Sequence, residues 1–212
     1  MRLLKAIPLA IAMLSACSRQ DVPSTRPGSE PKVSAALAEQ APVQVTSDGS
    51  IRSSRERLEQ IAAEVSAWRG ATSLEKAKRH AEATRNLIVG PTGPGYGDAN
   101  RDGIVSGANG IGLLPAAKGD VALAIPAANS CVARDLLGGS WDNPARRWAV
   151  LEEKIAAWRP GKNTFPTLPS HAQRIVGWAA LTLASSELKK AREYAGHADI
   201  HVQVSRTALT RC

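Results

Sequence analysis

The sequence predicts an all-α protein, a bundle of four or five helices interrupted by one long Gly/Pro-rich loop. Three observations carry that expectation. Apolar residues recur at spacings of three and four over several segments. Capping residues stand where those segments start, and Gly or Pro where they stop. No two alternating segments offer each other a partner strand. The chain has 212 residues, of which 43% are hydrophobic, enough for one domain with an ordinary core and too many for general disorder. No internal repeat is visible.

Leu58, Ile61, Val65 and Trp68 form one apolar stripe over Ser53 to Arg69, and Gly70 stops that helix. Thr72-Ser73-Leu74-Glu75 predicts a capping box, with Thr72 accepting a free N–H and Glu75 reaching back. The next helix carries Leu74, Ala77, Ala81 and Ile88 on one face and ends before Gly90-Pro91. Gly93, Pro94, Gly95 and Gly97 then force irregular backbone. In the second half, Ala127 to Leu137 is expected to be helical, with Pro126 near its first turn. Asn143-Pro144 starts a helix whose stripe is Trp148, Leu151, Ile155 and Trp158, and Pro160-Gly161 ends it. Ser170 caps the last long helix, with Ile175, Trp178, Leu181 and Leu188 facing inward and Gly196 as its stop. Ile200, Val202 and Val204 alternate as in a strand, but a lone strand has nothing to pair with, so a short final helix is expected. Trp68, Trp148, Trp158 and Trp178 fall on inward stripes and are expected in the core rather than in a ligand cage.

The amino end carries an address. Arg2 and Lys5 precede an apolar run from Ala6 to Leu14, too short to span a bilayer. The stretch ends Leu14-Ser15-Ala16-Cys17, which resembles the lipobox of bacterial lipoproteins. That resemblance implies removal of residues 1–16, lipidation of Cys17 and a membrane attachment through lipid. Ser18 after the cysteine implies, by the same resemblance, an outer membrane lipoprotein, periplasmic or surface-exposed. Residues 17–52 are expected to be the lipidated terminus and a disordered tether, since Pro23, Pro27, Pro31 and Pro42 lie among polar residues. The helical domain is expected over 53–212.

Without the leader the chain keeps 25 basic and 19 acidic residues, a net charge of +6. That excess suits an anionic envelope polymer or an envelope protein partner. No Lys/Arg run is dense enough to argue for nucleic acid. With Cys17 lipidated, Cys131 and Cys212 are the thiols that remain, and an even pair in an oxidising compartment predicts one disulfide. The alternative is a buried Cys131 beside a free Cys212.

Catalytic constellations mostly fail. Ser73-Leu74-Glu75-Lys76 and Ser186-Glu187-Leu188-Lys189 match the S-x-x-K of penicillin-binding enzymes, but neither an S-D-N nor a K-T-G occurs. Gly90 to Gly97 lacks the G-K-[ST] ending of a phosphate loop. His80 with His171 would be a clamp between two helices for a haem or metal. His197 and His201, at i and i+4, would share a metal on one helix. His80 and Glu82, two apart, face different ways and make a poor chelating pair. A lone helical histidine is more often a surface or satisfied core residue.

The strongest chemical signal is Asp98-Ala99-Asn100-Arg101-Asp102-Gly103-Ile104-Val105-Ser106-Gly107-Ala108-Asn109. A hard cation takes six to eight oxygens, and alternating side chains at Asp98, Asn100 and Asp102 converge only if Gly103 permits a sharp turn. Ile104 would give its carbonyl, Ser106 would ligate directly or through water, and Val105 would anchor the loop in the core. The stretch resembles the first half of an EF-hand loop and looks most like the loops of dockerin modules, which implies calcium over 98–109. It departs from them at Asn109, where an amide replaces the usual acid, so Asp120 is a candidate to assist and weak affinity is expected. The alternative is a metal-free turn rich in Gly, Asn and Asp.

The functional expectation is a membrane-anchored, non-catalytic helical domain with a structural calcium site, serving as a structural or interaction module. The alternatives are a bundle that binds a ligand, haem or metal, and an envelope enzyme acting on peptidoglycan.

Overall fold

Ile51, Leu58, Ile61, Val65 and Trp68 line one face of the first helix, α1 (Ser47–Arg69), and all are buried. The helix begins inside the stretch expected to be tether, because Ile51 continues the apolar stripe two residues upstream of Ser53. The computed structural model describes residues 47–107, 110–118, 122–124 and 132–211, with side chains from Ile51 onward. Cys17, Asn109, Asp120, Cys131 and Cys212 lie outside the described residues, as do the leader and most of the tether. The lipidation and disulfide expectations therefore fall there too.

The described residues are all-helical, with one isolated bridge between Arg159 and Lys162 in a tight turn. After α1 come α2 (Leu74–Val89), α3 (Pro144–Ala157), α4 (His171–Ala184) and α5 (Leu188–Thr210). A π-helical turn, Val132–Leu136, precedes α3, and a 3-10 turn, Phe165–Thr167, precedes α4. Helix α1 packs on α2, α2 on α4, α4 on α5, and α5 back on α1, while α3 lies against α4. The result is a closed ring of four helices with a fifth outside it. Ala191, Ala195 and Ala198 lie on one face of α5 and are fully buried, so that its backbone approaches its neighbours closely.

Several caps form as expected. Asn143 caps α3 by accepting from the Arg146 N–H, and Ser170 caps α4 by accepting from the Gln173 N–H. The cap of α2 differs from the expectation: Ser73, not Thr72, accepts from the Lys76 N–H, and the Thr72 hydroxyl instead receives the Lys76 Nζ. Ser73 wins because it holds the extended conformation that a cap requires.

The last long helix expected from Ser170 to Gly196 is two helices. It breaks at Ser185, whose hydroxyl accepts from the Glu187 N–H two residues on and so competes with the helical ladder. Helix α5 then runs through Gly196, and the residues expected to form a separate short helix, Ile200, Val202 and Val204, belong to it. Of the helix expected over Ala127 to Leu137, the described part is the π-helical turn. Trp141, absent from the expected core set, is buried edge-on against Trp148 at 5.5 Å.

The long loop is anchored at both ends. Leu113 and Leu114 donate their N–H groups to Leu87 and Ile88, satisfying carbonyls that the end of α2 leaves free. A Cβ on Gly90 would lie 2.3 Å from the Gly112 nitrogen, so only glycine lets the two backbones meet. Trp148 donates its indole N–H to the Pro115 carbonyl at 2.8 Å, tying the loop to α3. Among the described residues, no helix is long and apolar enough to cross a membrane.

Candidate functional site

Helix α2 carries Glu82 and Asn86 one turn apart, on the same face and fully buried. They grip the loop that follows. Glu82 Oε2 accepts from the backbone N–H groups of Ala99 and Asn100 at 2.7 and 2.9 Å, and Oε1 from that of Ser106 at 2.9 Å. Asn86 accepts from the Gly97 N–H and donates to the carbonyls of Gly97 and Ser106. Both edges of the loop, at 97–100 and at 106, are thus fastened to one helical turn. Gly107 closes the contact: with φ +105, a Cβ there would meet the Ala83 carbonyl oxygen at 2.7 Å.

The expected ligand residues lie within this clasp. Asp98 accepts from the N–H groups of Asp102 and Gly103 at 3.1 and 2.9 Å. Asn100 Oδ1 accepts from the Asp102 N–H, and Asp102 Oδ1 from that of Ile104, each two residues on. These are nested Asx turns, which draw the three side chains together around one bend. Arg101 at φ +63 and Gly103 at φ +86 make the bend possible.

Asp102 Oδ2 meets Arg79 Nε at 2.9 Å and receives the Asn100 amide at 3.1 Å. Arg79, then the Ile104 N–H and the Asn100 amide, hold the Asp102 carboxyl below its ordinary range. Burial pulls the Arg85 guanidinium down, and the neighbouring Glu82 carboxylate partly offsets that.

One expectation about this loop needs correction. Val105 does not anchor in the core: it is 51% exposed and Ile104 56%, because the clasp points the bend away from α2. Ser106 holds α2 through its backbone, N–H to Glu82 and carbonyl to Asn86.

Neither histidine pair considered from the sequence forms as such. His80 Nδ1 sits 2.7 Å from Glu64 Oε2. His171, at the start of α4, faces His201 of α5 with the two Nδ1 atoms 3.1 Å apart. His197 instead lies flat on Trp178, centroids 4.4 Å apart at 16°. Burial, then the His171 and Arg174 charges and His197, push His201 down to about 4. His171 is lowered by burial and by Arg174, with Asp135 opposing. Trp178 is the centre of an aromatic cluster with Phe165, Trp158 and Tyr194 and belongs to the core as expected.

Glu82 and Asn86 were missed by pattern reading. Their signal is present, however: a Glu and an Asn at i and i+4, Glu82 directly after Ala81 and Asn86 directly before Leu87. Among the described residues, no group of three or more His, Cys, Asp or Glu side chains comes together as a metal cluster. No family model, curated protein or solved structure matches the chain.

Proposed function

We propose that the chain is an outer membrane lipoprotein, attached through Cys17, whose helical domain is a non-catalytic structural or interaction module with a calcium-binding loop at 98–109. The observation that carries the reading is the clasp. Three oxygen-bearing side chains are gathered at one bend, and a buried carboxylate and amide fix that bend to α2. The donor set fits calcium in part. The Asp98 oxygens and Asn100 Oδ1 each accept one N–H and keep a second lone pair. Asp102 Oδ2 is engaged by Arg79 and Asn100, so a cation using that oxygen would displace the guanidinium. Arg79 stands in for positive charge at the bend. Affinity in the range of extracellular modules, about 10⁻⁴–10⁻³ M, follows from the small number of charged ligands.

Bound calcium would order the apex of the loop and hold Ile104 and Val105 outward for a partner. Millimolar calcium should raise the Tm and slow proteolysis between residues 98 and 107, and Asp98→Ala with Asp102→Ala should abolish both responses. A wild-type protein that ignores calcium would overturn the site. The lipid anchor is tested separately, by the loss of detergent partitioning in Cys17→Ser.

The reading as a peptidoglycan enzyme finds no support among the described residues. Ser73 is occupied as the α2 cap, and the Lys76 amine donates to Thr72 rather than to Ser73.

A further inference from the structure

We infer that His171 and His201 form a two-histidine site for a divalent first-row transition metal, independent of the calcium loop. The argument is geometric. Two imidazole nitrogens bound to one such ion at about 2.0–2.1 Å, and lying 3.1 Å apart, subtend an angle of about 100° at the metal. That lies between the right angle of octahedral coordination and the tetrahedral value, so the nitrogens can keep their separation, while each ring turns by about 40° to swing its lone pair off the line between them and onto the ion. The two Nδ1 atoms already point at each other from different helices.

The backbone that carries them is fixed on both sides. His171 begins α4 directly after the Ser170 cap, and that hydroxyl also donates to the Leu136 carbonyl. The His201 carbonyl accepts from the Ser205 hydroxyl at 2.9 Å. Helices α4 and α5 are joined by a short link, residues 185–187, and pack along their length. A pair held by two packed helices costs little to organise, which is the condition for binding by few ligands.

Access also fits. His171 opens onto a surface cleft of about 400 Å³ that Asp135 shares. Through this cleft water or a small anion would complete the coordination. Arg174, on the same helix, donates to the carbonyls of Leu168 and Pro166, and its charge still reaches both rings. The Asp135 carboxylate, paired with Arg134, offsets part of the positive charge that Arg134 and Arg211 bring to the cleft. Imidazole pairs suit nickel, copper and zinc rather than calcium. Without metal, one Nδ1–H lies between the rings. On binding, that proton moves to the Nε2 of the same ring, and both Nδ1 lone pairs go to the ion.

The test titrates the mature chain with Ni²⁺, chosen because thiolate draws zinc more strongly. One equivalent should bind by calorimetry, with affinity falling at least tenfold in His171→Ala and in His201→Ala. His197→Ala and His80→Ala should change it less than twofold. Because a helix-seam variant can fail to fold, the unaltered protein supplies a second readout. Paramagnetic Ni²⁺ should broaden the ring resonances of His171 and His201 at substoichiometric amounts while that of His80 stays sharp. Binding that survives both alanine variants would overturn the site, as would ring signals indifferent to nickel. Binding lost instead in Asp98→Ala would place the metal at the loop and overturn it equally.

Discussion

The face of α2 that carries Glu82 and the seam between α4 and α5 that carries His201 both hold an ionisable group away from water, by opposite means. Glu82 is fully buried and keeps partners for its charge: three backbone N–H groups converge on its oxygens, with Arg85 nearby. His201 is kept neutral, its proton affinity lowered by burial and by neighbouring cations. The seam also leaves polar atoms unmatched, since the Trp178 indole N–H and the Thr182 hydroxyl have no partner among the described residues. A buried charge supported by hydrogen bonds organises a loop, whereas a buried neutral ring leaves its surroundings sensitive to protons.

The largest effect should come from breaking the first region. Glu82→Ala removes the acceptor for three N–H groups and a carboxylate whose charge supports Arg85, at a cost of about 1–3 kcal/mol for each donor left unpaired. Chemical denaturation should read that loss, and limited proteolysis should find the loop cut at 97–107. If Glu82→Ala unfolds like the wild type, the clasp does not hold the loop. Gly107→Ala should come next, because a Cβ at φ +105 and 2.7 Å from the Ala83 carbonyl forces the clasp apart, costing about 1–3 kcal/mol.

The second region should respond to pH instead. The folded His201 titrates near 4 and the unfolded near 6.5, so the unfolded state binds the proton more readily. The stabilisation this group provides is full above pH 6.5 and is lost as pH falls through 4. In chelator-treated protein the Tm should decline over that window, and His201→Phe should flatten the decline. The smallest effect belongs to Arg79→Ala. That ion pair is exposed and screened, so a Tm change of about a degree is expected, vanishing at high salt.

Much of the fold is legible in the sequence for a simple reason. Leu58, Ile61, Val65 and Trp68 repeat at the helical period and are all buried, and Asn143 and Ser170 cap where such residues should. The break at Ser185 is not legible, because Gly196 is the stronger local stop signal and only packing of α5 on α1 carries the helix through it. In the loop, the Asx turns follow from the order of Asp98, Asn100, Asp102 and Gly103. The outward turn of Val105 does not, since it depends on Glu82 and Asn86 gripping the backbone from seventeen and eleven residues away or more. Similarly, the meeting of His171 with His201 depends on the packing of α4 against α5, thirty residues apart in the chain.

Arg55 near the start of α1 donates through Nε and Nη2 to the Leu209 carbonyl at the end of α5, at 3.2 and 2.6 Å across 154 residues. Glu59 and Arg206 repeat the connection one turn inward. The first helix is therefore completed by the last. During synthesis from the amino end, α1 can pack on α2 early, but the side it turns to α5 stays uncovered until α5 has emerged, so closure of the ring is a late event. Loss of a single turn at the carboxyl end would remove the buried Leu209 together with the acceptor that Arg55 requires, and would send the damage back to the opposite end of the chain.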